Sequence, residues 1–192
     1  MFSKVYRPLC VNFFRKNWAR CYYDTPDFTK NNYNIQRGNY NSLDESHISY
    51  FRNLLGDDRL VMDLSDLEKY NIDWMNHLRG NSSLVLKPKT TREVSKILTF
   101  CNENKLAVCP QGGNTSIVGG SVPVLDEIVI STERMNQILD LDHISGVLVC
   151  EAGCILQDLD NKLSEFDLMM PLTRSRQQII RIRPDDAPRF RC

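Results

Sequence analysis

Residues Leu84–Gly120 read LVLKPKTTREVSKILTFCNENKLAVCPQGGNTSIVGG, and the architecture follows from this stretch. Leu84-Val85-Leu86 is a short apolar run closed by Pro88, which predicts a buried strand. Thr90 and Glu93 form a capping box. Val94, Ile97, Leu98 and Cys101 then recur at i, i+3, i+4 and i+7, one stripe of a helix. Leu106–Cys109 is a second buried strand, and Pro110 fixes the angle at which it enters the glycine-rich stretch Gln111–Gly120.

Working outward, Ser121–Val124 and Glu127–Ser131 predict two more strands. Val147–Cys150 predicts another, entering the turn Glu151-Ala152-Gly153. Ile155, Leu156, Leu159 and Leu163 mark a helix to about Phe166, and Leu168–Met170 a strand before Pro171. Upstream, Ser42 and Glu45 resemble a capping box for an amphipathic helix over 43–55. A looser helical pattern follows through Leu60, Leu64 and Leu67, and 70–83 is rich in turns. The expected fold class is α+β, with helices packed on a mixed sheet.

The glycine-rich loop carries the chemistry. Consecutive Gly112-Gly113 gives the backbone conformations closed to other residues and leaves no side chain between main chain and ligand. Successive N–H groups then face one concavity and hold an anion. Asn114 and Thr115 add donors suited to phosphate oxygens. The loop is neither a P-loop, since it has no lysine, nor a Rossmann fingerprint, since no helix follows it. A plain structural turn is the alternative for a glycine pair alone.

Several motifs occur in one order: the strand Leu84–Pro88, the helix Glu93–Cys101, PQGGNTxxVGG, EIVISTxxMNxIL (Glu127–Leu139), VCEAGC (Val149–Cys154) and, upstream, DWMxxLRG (Asp73–Gly80). Together they resemble the FAD-binding domain of the vanillyl-alcohol-oxidase type, over roughly residues 43–172. The resemblance implies FAD as cofactor and a flavin-dependent oxidation of a 2-hydroxy acid. It implies that Pro110, Gln111, Gly112, Gly113, Asn114, Thr115, Gly119 and Gly120 wrap the pyrophosphate. It puts Ser131 and Thr132 beside the flavin or its ribityl chain, and brings the backbone of Glu151, Ala152 and Gly153 close to the cofactor. Ser116 stands where the family commonly has glycine. Ser131-Thr132 as a strand end and Ala152-Gly153 as an ordinary turn remain open alternatives.

The family's second glycine-rich segment and its substrate residues have no counterpart here. No catalytic or metal-binding residue is therefore assigned, and a small 2-hydroxy-acid substrate is expected only for a full-length form. The expected organisation is a transit-like leader at 1–23, a linker at 24–42, a helical lead-in at 43–83, a partial FAD-binding domain at 84–172 and a divergent tail at 173–192.

The leader is basic, acid-free and interleaved with aromatics, as mitochondrial import segments are. The tail holds six arginines and no lysine and lacks a helix or strand period, so disorder is expected. Such a tail fits an RNA- or lipid-binding product without enzymatic activity, or a stretch of non-native coding, the second being favoured. Another member of the same flavin-domain family is a further reading. The chain has 24 basic and 24 acidic residues, so no nucleic-acid partner is expected from its charge. No apolar run reaches the length of a membrane span. Seven scattered cysteines read as free thiols rather than a disulfide framework or a metal site.

Overall fold

A computed structural model describes residues 26–33 and 35–170, and the backbone of residues 190–191. The leader 1–23 and nearly all of the tail lie outside the described residues. The elements are α1 (Thr29–Asn32), α2 (Glu45–Leu55), a 3-10 turn (Asp57–Arg59), β1 (Leu60–Val61), α3 (Leu64–Asn71), β2 (Val85–Leu86), α4 (Thr91–Glu103), β3 (Val108–Gln111), β4 (Ile128–Ser131), β5 (Ile138–Asp142), β6 (Val147–Cys150), α5 (Leu156–Ser164) and β7 (Phe190–Arg191).

A four-stranded sheet has the order β1-β2-β4-β3. Strands β2, β4 and β3 are parallel, and β1 pairs antiparallel with β2 at one edge. Side chains alternate across this sheet with the period of two that a strand imposes. On one face Leu84, Leu86, Ile128 and Ile130 pack with Phe51 and Leu55 of α2 and with Ile97 and Cys101 of α4. On the other, Val85 and Val129 pack with Leu67 and Tyr70 of α3. Burial on both faces is what makes these strands short apolar runs instead of alternating ones. Phe51, Leu86 and Ile97 have no exposed surface, and each such burial is worth roughly 1.5–3 kcal/mol. The Phe100 ring stacks on Tyr50 at 3.7 Å and meets Phe51 edge-on at 5.3 Å, tying α4 to α2.

Pro110 lies on β3, an edge strand, where its missing N–H costs no ladder bond. A second sheet, β5-β6-β7, is antiparallel and carries α5 through Leu148, Leu156, Leu159 and Leu163. The α+β class with helices on a mixed sheet is thus the fold observed.

Several local expectations need correction. Helix α2 is capped by Asp44, whose carboxylate accepts from His47 N while His47 Nδ1 accepts from Asp44 N; Ser42 and Glu45 do not form the box. Leu60 belongs to a strand, and the helix starts only at Leu64 behind the cap Asp63. The segment expected to be a linker contains α1 and is tied down: Arg37 forms a bidentate pair with Asp126 at 2.8 Å, and Thr29 N donates to Arg79 O.

Ser121–Val124 is not a strand. Val122 N closes a turn onto Gly119 O, and Pro123 O is taken by Asn81 N. Leu168–Met170 is not a strand either. Asp167 adopts φ 55°, and Leu168 N returns to Leu163 O at the end of α5. Strand β5 has no counterpart among the expected elements. The tail, expected to lack regular structure, supplies β7, paired with β6 at Leu148↔Phe190.

Candidate functional site: the glycine loop at the end of the parallel strands

Three predicted segments meet at the carboxyl end of β3 and β4. Thr132 N donates to Gln111 O at 3.0 Å, joining the end of β4 to the start of the loop. The Thr132 hydroxyl donates to Ala152 O at 3.4 Å, joining β4 to the turn after β6. Gly153 N donates to Met135 O at 2.7 Å, and Glu151 pairs twice with Gln137, through its own N–H and through its carboxylate. A Cβ on Gly153 would stand 1.7 Å from Thr132 O, so only glycine allows the two backbones this approach.

The loop itself has no helix or strand between residues 112 and 127. Gly112 and Gly113 do not use positive φ; that conformation falls to Asn114 (φ 56°) and Gly119 (φ 69°). What the glycine pair contributes is bare backbone rather than an unusual turn. Among the described residues, the amides of Gly112, Gly113, Asn114, Thr115, Gly119 and Gly120 donate to no protein acceptor. A Cβ on Gly120 would meet only Ser116 Oγ, at 3.9 Å, so that side of the loop is open. Ser116 accepts from Val118 N and has no positive φ, so its side chain is tolerated where the resemblance leads one to expect glycine.

Two predicted ligands have other work. Gln111 is fully buried, and its Nε2 donates to Tyr70 O and Ser121 O, both at 2.9 Å. Asn114 Nδ2 donates to Ile72 O at 2.6 Å and to Lys69 O at 3.4 Å, and its Oδ1 accepts from Ser121 Oγ at 2.8 Å. Their amide side chains therefore brace the loop instead of offering donors to a phosphate. Among the described residues, the Thr115 hydroxyl has no hydrogen-bond partner. Ser131 is buried and accepts from Glu133 N.

The brace comes from residues upstream, whose role the sequence leaves unspecified. Asp73, buried, accepts from His77 N at 2.8 Å and Leu78 N at 2.7 Å and shapes the segment 73–80. Leu78 then lies against Gly119, where a Cβ would meet its Cδ1 at 2.2 Å, and Gly80 lies against Pro123 O at the same virtual distance. Asn71 and Ser82 exchange bonds of 3.0 and 2.8 Å across this turn.

At the same sheet end, Lys87 Nζ is 2.7 Å from Glu133 Oε1, and the Tyr70 hydroxyl donates to Glu133 Oε2 at 3.0 Å. Burial pushes the Glu133 carboxyl up, but Lys87 and Tyr70 outweigh it and hold the carboxyl below its ordinary 4.5. Burial likewise pushes Lys87 down, and Glu133 with Tyr70 raise it above 10.5. The signs define a window. Glu133 contributes stability fully above its unfolded value, lost as pH falls through the depressed folded one; Lys87 contributes fully below its unfolded value, lost as pH rises through the raised one. E133Q is therefore expected to be less stable than wild type near neutrality, with the gap narrowing in urea titrations as the pH falls below the ordinary carboxylate value and through the depressed folded one. A constant gap would show that the ion pair carries none of the difference.

Two clefts adjoin this region. One of about 320 Å³ lies between α3 and residues Arg79–Ser82, and a smaller one of about 100 Å³ borders Gly153, Glu133 and Asp158. Neither is lined by the glycine loop. The Cys150 thiol, near Cys154, is pushed up to about 12, mainly by burial, as befits an unreactive core sulfur.

Residues 82–180 match the family described as FAD binding domain, just over half of the 192 residues. The chain belongs to that family. Among curated proteins, it is 52% identical over 133 residues to the mitochondrial D-2-hydroxyglutarate dehydrogenase of Arabidopsis thaliana, covering 69% of this chain and 24% of that protein. The corresponding protein of Danio rerio is 50% identical over 133 residues, with 69% and 25% covered. The chain thus spans about a quarter of the length of these relatives. Alkyldihydroxyacetonephosphate synthase superposes with a TM-score of 0.57 at 17% identity, over 68% of this chain and 27% of that one, a likeness of fold. The fold is therefore the vanillyl-alcohol-oxidase type, in part, and the chain is similar to the FAD-binding portion of D-2-hydroxyglutarate dehydrogenases. Among the described residues no helix is long and apolar enough to cross a membrane.

Proposed function

We propose that this chain holds the diphosphate of FAD on the backbone amides of Gly112, Gly113, Asn114, Thr115, Gly119 and Gly120, as the cofactor-binding part of a mitochondrial D-2-hydroxy-acid dehydrogenase. The observation that carries this reading is the run of amides without protein acceptors, fixed by Pro110, Gln111 and Asn114 at the carboxyl end of parallel strands. Amides so arranged present partial positive charge to an anion. The Thr115 hydroxyl adds a donor. Thr132, with the backbone of Glu151, Ala152 and Gly153, forms the adjoining wall for the flavin end, and Ser131 supports that wall from within. The residues present fit the group: they supply donors without side-chain bulk where a diphosphate needs close approach.

When bound, FAD supplies the capacity to accept a hydride from an alcohol carbon. The chain's residues bind and orient it. The names of the relatives support D-2-hydroxyglutarate, oxidised to 2-oxoglutarate, as the substrate of a complete enzyme, and mitochondria as the compartment; the basic leader 1–23 agrees as an import segment. Residues 84–172 form the cofactor part, 43–83 its lead-in and 173–192 a divergent tail. No residue here is assigned to the substrate, so this chain alone is expected to give no D-2-hydroxyglutarate turnover.

Titrating the full chain with FAD tests the reading. The expected result is saturable quenching of flavin fluorescence at one FAD per chain, with no binding of nucleic acid. A folded chain that takes up no FAD overturns it, and a folded chain that retains RNA instead favours a non-enzymatic binding product.

A further inference from the structure

The segments that converge on the proposed diphosphate site, Pro110–Gly120, Ser131–Thr132 and Glu151–Gly153, contain no lysine, arginine or histidine and one carboxylate of their own. A second carboxylate, Glu133, follows directly. Amides alone would then face a doubly charged ligand in a locally acidic setting. The missing charge stands on α3. Lys69 O is 3.4 Å from Asn114 Nδ2, so this lysine springs from a point touching the loop. Its ammonium lies 4.9 Å from the centroid of the Tyr70 ring, whose hydroxyl binds Glu133. Lys87 Nζ stands 5.5 Å from the same centroid and is paired with Glu133.

The two lysines differ in what they have left to offer. Lys87 is mostly buried and committed to Glu133. Lys69 is exposed and, among the described residues, has no carboxylate within ion-pair distance. Arg134, the next base along from Thr132, is engaged by Asp58 at 3.2 Å. Lys69 helps hold the Glu133 carboxyl low from a distance but, among the described residues, has no close ion-pair partner, and it stands beside the loop on a helix turn that Asn114 and Gln111 fasten to it. It also lies upstream of the residues that match the family.

We propose that Lys69 is a cofactor-binding residue whose ammonium supplies the positive charge the diphosphate loop lacks, while Lys87 neutralises Glu133 and so prevents its repelling the ligand. This rests on the FAD reading above. A charge contact at an exposed site is modest and is screened by salt.

The test is FAD affinity of the full chain and its K69Q, K87Q, E133Q and K87Q/E133Q variants, at low and high salt, with riboflavin as the ligand without phosphate. K69Q is expected to weaken FAD about three- to tenfold at low salt, with the deficit closing near 1 M salt, where the Debye length falls to about 3 Å. Riboflavin binding should not change. K87Q should also weaken FAD, and adding E133Q should restore most of the loss. Wild-type affinity in K69Q at low salt overturns the proposal, as does a loss that is equal at all salts or shared by riboflavin. Failure of the wild-type chain to bind FAD at all overturns the loop reading instead, and this one with it.

Discussion

Gly153→Ala is expected to lower the stability of the chain by about 3 kcal/mol or more, with cooperative unfolding in urea shifted accordingly. The reason is a collision that nothing flexible can absorb. The added Cβ would sit 1.7 Å from Thr132 O, 2.7 Å from Thr132 C and 2.8 Å from Met135 O, all backbone atoms. Relief requires the turn after β6 to lift off the segment after β4. That movement breaks Gly153 N to Met135 O and the Thr132 hydroxyl bond to Ala152 O. Because the turn also forms the proposed wall for the flavin, FAD affinity should fall together with stability.

Gly120→Ala is the contrast. Its Cβ would meet only Ser116 Oγ at 3.9 Å, and Gly120 does not use positive φ, so stability should change by less than about 1 kcal/mol. The methyl group stands on the open side of the loop, so FAD affinity should still fall. If G153A proves as stable as wild type, the close seating of the two backbones is wrong. If G120A leaves FAD binding untouched, that rim of the loop does not face the cofactor.

The parts of this fold legible in the sequence are those whose cause is local. Thr90 caps α4 because its hydroxyl accepts from Glu93 N three residues away, and that spacing is visible in any sequence. Strands β2 and β4 are apolar on consecutive residues because both faces are covered, which is a property of the strand itself. The misreadings share the opposite character. Ser121–Val124 has strand-like residues, but its backbone groups are claimed by Asn81, Gln111 and Gly119. Strand β5 has an exposed pattern with only Leu141 partly buried, so no alternation marks it. At the start of α2, Ser42 and Glu45 match the capping consensus and mislead, whereas His47 completes the bond that Asp44 begins.

The candidate site divides in the same way. The paired glycines announce a loop of bare backbone, and among the described residues the amides of Gly112, Gly113, Asn114, Thr115, Gly119 and Gly120 donate to no protein acceptor. The tasks of Gln111 and Asn114 are not legible, since their partners Tyr70, Lys69 and Ile72 lie 41 to 45 residues away in the chain. An amide side chain beside glycines looks like a ligand until its donors are seen to be spent. The upstream motif Asp73–Gly80 is the companion case: its position is visible in the sequence, but its use, seating Gly119 on Leu78 and Gly80 on Pro123, is a tertiary fact.

Asn114→Asp is therefore expected to be the most damaging small change in the loop. Asparagine here uses its NH₂ group toward two carbonyl oxygens, Ile72 O and Lys69 O, and its carbonyl toward the Ser121 hydroxyl. Aspartate has the same shape and tolerates the same φ of 56°, so backbone strain is not altered. It replaces a donor by a charged oxygen facing two other oxygens, and it places a further negative charge beside the proposed diphosphate. Losing the bonds and leaving their partners unsatisfied costs about 1–3 kcal/mol, to which the repulsion adds. Asn114→Gly relieves φ while deleting the same bonds, so N114G should be destabilised less than N114D. FAD affinity should follow the same order, with N114D recovering in part at low pH as its carboxylate is protonated. Urea titrations and FAD titrations of both variants give the comparison. If N114D and N114G both match wild type in stability and both lose FAD, the Asn114 side chain is a direct ligand after all; if both match wild type in stability and in binding, the bond to Ile72 holds nothing in place.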